Sequence, residues 1–365
     1  MSGSAAEGSP RFEPDWRIPT GQGRELGIGI IGAGGIVGYA HLPAYQAAGL
    51  RVLAITDVDV AKARDVAARF GIPTVVETAD ELVRVPGVEI VDIAVPPWEQ
   101  PKIVAIGLAA RRHLLCQKPF ALDIETARAM VDAAAAAGVK LAVNQQMRWE
   151  PGIAAVRSLV AQGAIGRLSN SQVTVSVTTP FGMWPWLAAA PRLEVMYHSV
   201  HYQDSLRSIM GEPAWVTSVH GRYPDQAPVV GETRTTTILE YADGSQVLVA
   251  VDHQDLHGTP YAEFRLRGTD GALEGTIGLM YDYPDGRIDT LTLRRNGEGP
   301  RSFDFGAERW IPDAFLGPMS DLMDAIATGR EPVTSGRDNL GTLAVAFATY
   351  QSATERRSIR IGDGA

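Results

Sequence analysis

The N-terminal part of the chain alternates short apolar segments with segments whose apolar residues follow a helical period. The apolar runs cover 26–31, 51–56, 90–95, 113–116 and 140–144, and the helical patterns cover 36–48, 59–70, 98–110 and 124–137. This alternation predicts right-handed βαβ units around a parallel sheet that helices cover on both faces. We therefore expect a doubly wound α/β domain over residues 25–148. A flexible N-terminal tail at 1–24 precedes it, in which Phe12 and Trp16 can dock on the body.

After Trp149 the sequence changes to strands with period-two alternation. Strands are predicted at 169–178, 215–223, 235–241, 246–252 and 261–268, and helices at 152–162, 195–210, 312–328 and 338–355. Turn sequences such as Ala242-Asp243-Gly244 indicate an antiparallel meander. Residues 149–365 are thus predicted to form an α+β domain with a mostly antiparallel open sheet. Its last helix, 338–355, can pack back on the first domain.

Charge and cysteine content exclude several classes of partner. The net charge of −9 argues against nucleic acid or an anionic membrane as the main partner. No stretch reaches the roughly 20 apolar residues of a membrane span, and the N-terminal 24 residues lack the apolar centre of a signal peptide. Cys116 is the single cysteine, which excludes a disulfide framework and is typical of a reducing compartment. We expect a cytoplasmic protein.

The turn Gly32-Ala33-Gly34-Gly35 follows the first predicted strand and precedes the first helix. Gly32 permits a sharp turn, and Gly34 and Gly35 let the backbone approach a pyrophosphate. The helix that begins at Ile36 and Val37 then offers free N–H groups and a positive dipole end. Val37 occupies the place of the usual third glycine, and Gly38 follows it. We therefore expect the helix either to lie farther from the strand or to be shifted by one residue.

Asp57 at the end of the second predicted strand supports a dinucleotide site. Its carboxylate can accept hydrogen bonds from the adenosine ribose. Val58 and Asp59 follow it, rather than an Arg or Ser that would bind a 2′-phosphate. The sequence thus favours NAD over NADP. The alternative is a tight turn beside a solvated aspartate.

Several segments resemble the family of glucose–fructose oxidoreductase and inositol dehydrogenase (Gfo/Idh/MocA). They are GIGIIGAGGIVGYAHLPAY (27–45), AVPPWEQ (94–100), QKPFALDIETARAMVDAA (117–134), NQQMRW (144–149), YHSVHYQDSLRSIMGEP (197–213) and AIATGREPVTSGRDNL (325–340). The resemblance implies hydride transfer between nicotinamide and the hydroxyl carbon of a sugar, cyclitol or polyol. It also implies that the second domain binds substrate and pairs subunits, giving a homodimer or homotetramer.

The resemblance implies roles for residues on the first domain. Lys118 lies in Gln117-Lys118-Pro119, where the family has Glu-Lys-Pro, and it corresponds to the lysine that contacts the nicotinamide ribose and the substrate hydroxyl. Gln117 replaces an acid but can still hydrogen-bond a ribose. The loop along the cofactor corresponds to Pro96, Pro97, Trp98 and Gln100. For each of these four residues the alternative is a rigid loop and a helix start.

A second family signature places an acid, a histidine and an aspartate at spacings of four and three. Here the positions hold Tyr197, His201 and Asp204, which share one face of a regular helix. The resemblance implies His201 as the general base, with Tyr197 in place of an acid that assists it. Asp204 would orient His201 or touch the substrate. His198 is the alternative to His201 for this role. A metal site made of His198, His201 and Asp204 is disfavoured because the family works without metal.

Other residues are candidates for substrate contact. Trp184, Trp186 and Arg192 precede the histidine helix, where aromatic and guanidinium groups suit a sugar ring, although packing within the loop explains them equally well. Gln146 and Arg148 match a family position at the domain junction, with cofactor contact and structural support as alternatives. The polar segment 252–257 could line a cleft but is predicted to end a strand.

We therefore predict an NAD-dependent dehydrogenase that acts on a carbohydrate-like small molecule. One alternative is an isomerase, epimerase or glycoside-cleaving enzyme that keeps NAD bound and oxidises its substrate transiently. The other is a non-enzymatic sensor that binds the dinucleotide. The presence of both Lys118 and His201 argues against the sensor.

Overall fold

A computed structural model describes residues 12–222, 226, 229–256 and 258–362. Residues 1–11 of the predicted tail, Tyr223 at the end of a predicted strand, and His257 lie outside the described residues. Within the described part, residues 12–24 contact the second sheet and its neighbouring loops. The indole of Trp16 lies edge-on to Phe305, and its Nε1 donates to Glu308 at 3.1 Å.

The first sheet has six strands, all parallel, in the spatial order β3-β2-β1-β4-β5-β6. The strands are β1 Gly27–Ile31, β2 Val52–Thr56, β3 Thr74–Val75, β4 Val88–Ile93, β5 His113–Cys116 and β6 Leu141–Val143. Its helices are α1 Leu42–Ala47, α2 Val60–Phe70, α3 Ala79–Leu82, α4 Gln100–Ala109 and α5 Ile124–Ala137. The central strands β1 and β4 are almost wholly buried, as expected for a sheet covered on both faces. The predicted Rossmann topology is confirmed.

The second sheet has nine strands in the order β14-β13-β12-β11-β7-β10-β9-β8-β15. They are β7 Leu168–Ser176, β8 Trp215–Gly221, β9 Arg234–Glu240, β10 Gln246–Asp252, β11 Tyr261–Gly268, β12 Gly271–Thr276, β13 Leu291–Arg295, β14 Arg301–Phe303 and β15 Ile359–Arg360. All neighbours pair antiparallel except β7 and β10, which are parallel. The mostly antiparallel sheet is confirmed, and β12 to β15 are strands that the sequence analysis did not identify.

Helices join the two sheets. They are α6 Pro151–Ala161, α7 Pro185–Ala188, α8 Val200–Met210, α9 Leu316–Thr328 and α10 Gly336–Glu355. Short 3₁₀ turns lie at Gln146–Trp149, Phe181–Met183, Gly278–Tyr281 and Asp313–Phe315. The start of α10 packs tightly on the first domain, because a Cβ at Gly336 would meet the side chains of Leu141 and Val131. Both domains therefore share packed surface beside β6 and α5.

Two π-helical segments interrupt the regular geometry, at Val37–His41 before α1 and at Val195–Ser199 before α8. Such segments insert one residue into a helical turn and often occur at functional sites. One follows the glycine turn and the other leads into the predicted histidine helix.

Candidate active site

Chain topology brings the predicted site residues to one edge of the first sheet. Because parallel strands end at the same edge, the loops after β1, β4, β5 and β6 lie side by side there. These loops carry Gly32, Pro96, Lys118 and Gln146. In the second sheet, β7 and β10 also run in parallel, so their ends place Thr179 next to His253.

The glycine turn has an open outer surface. Gly32 has a φ of +110°, and a Cβ there would collide with the carbonyl oxygen of Ala94. Gly34 and Gly35 are exposed, and a Cβ at Gly34 would meet no protein atom within 4 Å. Gly32 is thus required by the fold, whereas the bare backbone at Gly34 leaves room for a phosphate group. The turn fits a dinucleotide pyrophosphate.

The π-helical segment at Val37–His41 explains how the chain tolerates Val37. The N–H of Leu42 donates to the carbonyl of Val37, five residues earlier, so one extra residue is accommodated in the first turn. Val37 is fully buried, and Gly38 lies directly under the guanidinium of Arg69. Ile36, at the start of the helix, is half-buried.

Asp57 supports the glycine turn directly. Its Oδ2 accepts the Ala33 N–H at 2.7 Å and its Oδ1 accepts the Asp59 N–H at 2.8 Å. Each carboxylate oxygen can accept a second hydrogen bond, so a ribose hydroxyl can still bind there. The fully exposed Val58 follows and presents an apolar surface at the same position.

Lys118 and Gln117 are positioned by Gln100. The buried Gln100 amide donates to the carbonyls of Gln117 at 2.8 Å and Pro119 at 2.9 Å. Gln100 therefore supports the lysine segment, in contrast to the direct cofactor contact expected from the sequence. The Gln117 Oε1 in turn accepts the Lys118 N–H at 2.9 Å.

A buried network that the sequence analysis missed orients Gln117. His41 Nε2 lies 3.0 Å from the Gln117 amide nitrogen, and His41 Nδ1 lies 2.7 Å from Asp92 Oδ2. Asp92 also accepts the Tyr45 hydroxyl at 2.8 Å. A histidine that donates through Nδ1 to a carboxylate keeps Nε2 as an acceptor, which pairs with an amide N–H and not with a carboxylate. The sequence signal was a histidine and an aspartate within otherwise apolar segments.

The π-helical segment before α8 brings Tyr197 against Lys118. The Lys118 ammonium donates to the Tyr197 carbonyl oxygen at 2.8 Å. Burial lowers the pKa of Lys118 to about 7, because the charged form loses its hydration. The Tyr197 side chain packs edge-on to Trp186, and burial raises the pKa of its phenol to about 12. The inserted residue changes the helical register between Tyr197 and His201 relative to the regular helix we expected.

Three buried imidazoles surround Lys118. His198 stacks on His253 with ring centres 3.8 Å apart, and His201 lies edge-on to Trp310 at 5.3 Å. His253 Nδ1 is held by the Thr179 hydroxyl at 2.7 Å. Burial and the positive charge of Lys118 lower the pKa of His253 to about 3. Burial is also the main cause that places the pKa values of His198 and His201 well below their usual range, so all three imidazoles are neutral at pH 7.

Asp204 lies in a different cluster. Its carboxylate accepts two hydrogen bonds from Arg148, both at 2.7 Å, and one from the Thr342 hydroxyl at 2.6 Å. Arg148 also pairs with Asp338 at the start of α10. These contacts support a structural role that ties α8 to α10, and they argue against Asp204 as a ligand of the substrate.

The predicted aromatic residues contact one another across separate loops. Trp98 and Trp186 are partly exposed and meet edge-on with ring centres 5.6 Å apart, so they connect the loop after β4 with α7. Trp184 packs edge-on to Tyr283. The Arg192 guanidinium lies instead over the ring of Tyr350 in α10.

Several candidates lie deeper. Pro96 and Pro97 bend the loop after β4, and Pro97 is buried. Gln146 and Asn144 are both buried, and the amide oxygen of each has no hydrogen-bond partner in the described part of the chain. Buried polar atoms of this kind are expected to bind water or a ligand.

Two further observations apply to the described residues only. Among residues 12–222, 226, 229–256 and 258–362, no group of three or more His, Cys, Asp or Glu side chains is arranged to hold a metal ion. No helix in this part of the chain is both long enough and apolar enough to cross a membrane.

Two family models and several characterised proteins match the chain. Residues 26–145 match the NAD-binding Rossmann fold of an oxidoreductase family, and residues 153–274 match the GFO/IDH/MocA C-terminal domain. D-apiose dehydrogenase of Paraburkholderia graminis is 30% identical over 325 residues, covering 88% of this chain and 86% of the relative. Inositol 2-dehydrogenase of Rhizobium meliloti is 27% identical, with coverage of 92% and 98%.

A solved structure shares the complete fold. It is an oxidoreductase from Agrobacterium radiobacter in complex with NAD⁺, L-tartaric acid and magnesium, and it is 27% identical to this chain. The TM-score is 0.83, and the alignment covers 93% of this chain and 99% of that structure.

Proposed function

Because the chain belongs to the GFO/IDH/MocA family of NAD-binding oxidoreductases, we propose that it is an NAD-dependent dehydrogenase acting on the CH–OH group of a sugar, cyclitol or related polyol. One observation carries the proposal. The open glycine turn and the half-buried Lys118 lie at the same edge of the first sheet, and Lys118 is hydrogen-bonded to the helical segment that leads to His201. The named dehydrogenases among its relatives support the substrate class.

The cofactor would bind along this edge. We assign the pyrophosphate to the backbone of Gly32, Gly34, Gly35, Ile36 and Val37, and the adenosine ribose to Asp57. The nicotinamide half would lie along Pro96, Pro97 and Trp98, next to Gln117. When bound, NAD supplies a carbon that accepts or returns a hydride.

The chain's own residues would handle the substrate oxygen and its proton. Lys118 donates a hydrogen bond to the reacting hydroxyl oxygen and stabilises the negative charge that develops there. His201, neutral at pH 7, accepts the hydroxyl proton. The Tyr197 phenol is too weak an acid to replace the family carboxylate as a charged partner, so no charged group at position 197 stabilises protonated His201. We assign Trp184, Gln146 and His198 to the substrate side of the cleft.

A panel of sugars, inositols and other polyols with NAD or NADP tests the proposal. We expect a rise in NADH absorbance with at least one member of the panel and a loss of that activity in Lys118→Ala. Arg128→Ala, at an exposed position on α5, serves as the control. Full turnover in Lys118→Ala would show that another group performs the chemistry. Product formation without net NADH would instead indicate transient oxidation by a retained cofactor.

We also propose a cytoplasmic location and self-association as a dimer or tetramer. The location is supported by the single, buried cysteine, Cys116, and the self-association by the family resemblance. Size-exclusion chromatography with light scattering tests the self-association, and fractionation of the host cell tests the location.

A further inference from the structure

Positive charge around Lys118 is not balanced by a facing carboxylate. The Lys118 ammonium donates to a neutral acceptor, the Tyr197 carbonyl oxygen. Among the described residues, no Asp or Glu oxygen lies within ion-pair distance of Lys118 Nζ. The family resemblance predicts acids at positions 117 and 197, and this chain has Gln117 and Tyr197 there. Two positions where the resemblance predicts an acid thus hold neutral side chains.

The groups around Lys118 do not restore the missing negative charge. His198, His201 and His253 are buried, and the charged groups that influence their pKa values are Lys118 and the other histidines. All of these influences favour the neutral imidazole. Each ring can still donate or accept one hydrogen bond to a ligand. The cleft therefore combines one cation with three neutral hydrogen-bonding rings.

The carboxylates on the neighbouring elements are each engaged elsewhere. Asp92 on β4 binds His41 and Tyr45, and Asp204 on α8 binds Arg148 and Thr342. Glu194, before α8, accepts from Ser199 and Thr235. Asp252 and Asp255, beside His253, accept the Gln254 N–H and the Ser176 hydroxyl. None of these contacts involves Lys118.

Burial lowers the pKa of Lys118 to about 7, and an anion bound next to the amine would raise that pKa and keep the ammonium charged. A charged ammonium in a desolvated site attracts an anionic ligand more strongly than a neutral one. From this charge pattern we infer that the preferred substrate carries a carboxylate: a polyhydroxy acid such as an aldonate or uronate. The Lys118 ammonium, which has three N–H donors, donates both to the reacting hydroxyl and to the carboxylate, which also faces the stacked His198–His253 rings, while the hydroxyl carbon faces the cofactor site. This inference rests on the proposed function. In the oxidation the hydroxyl carbon loses a hydride to NAD and the oxygen loses a proton to His201, and the carboxylate is unchanged.

Matched pairs of neutral and acidic substrates test the inference. D-galactose with D-galacturonate, and D-glucitol with D-gluconate, differ in the carboxylate but present similar hydroxyls. We expect kcat/KM for the better acid to exceed that for its neutral partner at least about tenfold, as one additional charge pair of about 1.4 kcal/mol produces. Dissociation constants measured by calorimetry with the NADH-loaded enzyme should show the same order without turnover.

Restoring negative charge at these positions should weaken the preference for acidic over neutral substrates. Gln117→Glu and Tyr197→Asp each return an acid to a position where the resemblance predicts one, and we expect each to lower the acid-to-neutral ratio about tenfold. Two separate variants guard against a local folding defect in either one. Arg128→Ala removes an exposed positive charge and should leave the ratio unchanged.

The outcomes separate this inference from the proposed function. Equal or better turnover and binding of the neutral partners would overturn the inference while the dehydrogenase assignment stands. Tighter binding of the acids without NADH formation from any member of the panel would support the charge preference and contradict the dehydrogenase. An unchanged ratio in both charge variants would show that Lys118 does not set the preference.

Discussion

Lys118 Nζ lies 2.8 Å from the carbonyl oxygen of Tyr197, so the lysine at the end of β5 is joined directly to the helical segment that leads to His201. The two residues are 79 positions apart in sequence. Their contact links the sheet edge that carries the cofactor site to the helix that carries the proposed base. The bend after β5 that holds Lys118 is thereby attached to the helical segment that continues into α8 and His201.

Replacing Lys118 should abolish catalysis without unfolding the protein. In Lys118→Met we expect kcat/KM to fall about 10²- to 10⁴-fold, because the developing charge on the substrate oxygen loses its donor. The melting temperature at pH 7 should not fall, since a half-buried amine without a counter-ion, whose pKa burial lowers to about 7, is replaced by an apolar side chain of similar length. Steady-state kinetics and thermal unfolding measure both. A fall in melting temperature as large as the loss of activity would assign Lys118 a structural role.

Gly32 and Gly34 should respond differently to the same substitution. A Cβ at Gly32 collides with the Ala94 carbonyl and the residue has positive φ, whereas a Cβ at Gly34 meets no protein atom. Gly32→Ala should therefore lower the melting temperature of the free protein. Gly34→Ala should leave it unchanged but weaken NADH binding at least about tenfold, because the methyl group occupies phosphate space. NADH fluorescence titration and thermal unfolding distinguish the two. Normal NADH binding in Gly34→Ala would show that the pyrophosphate does not bind at this turn.

Loss of His41 should cost more stability than loss of Tyr45's hydroxyl. Both groups bond Asp92 Oδ2, but His41 also bonds Gln117. We expect His41→Leu to lower the free energy of unfolding by about 3 kcal/mol, since it leaves a buried carboxylate underpaired. Tyr45→Phe, the matched control, removes one hydrogen bond and should cost about 1 kcal/mol. Urea unfolding of both variants provides the measurement. Equal costs would show that the His41–Asp92 contact contributes little.

Glu194 should make stability depend on pH. Burial raises its pKa from 4.5 to about 8, so the folded protein keeps a proton that the unfolded chain releases near pH 4.5. The resulting stabilisation is complete below pH 4.5 and is lost as pH rises to about 8. Glu194→Gln supplies an amide oxygen that can still accept a hydrogen bond, but the amide cannot ionise. Its stability relative to the natural protein should therefore increase by at least about 1 kcal/mol between pH 5 and pH 8. If thermal or urea unfolding shows that the stabilities of the natural protein and of Glu194→Gln change in parallel between pH 5 and pH 8, Glu194 is already ionised at pH 5.

Local sequence patterns predicted the elements that form the cofactor side of the site. The βαβ alternation, the glycine turn and the position of Lys118 after β5 depend on residues close in sequence, where periodicity and turn chemistry are informative. The missing third glycine at Val37 also indicated that the start of the first helix departs from the usual geometry, and a π-helical segment lies there. By contrast, the sequence predicted a regular helix through Tyr197 and His201, and the π-helical segment before α8 changes the helical register between these two residues.

The substrate side depended on contacts between distant residues. His253 meets His198 only because β10 runs parallel to β7 and ends beside α8, and the polar segment 252–257 carried no local sign of that stacking. Asp204 was expected near the substrate, but the structure pairs it with Arg148, which lies 56 positions earlier. Sequence thus determined the fold class, the cofactor turn and the identity of the lysine. Tertiary structure decided which charges are paired and which remain open to a ligand, because pairing depends on how separate strands and helices meet in space.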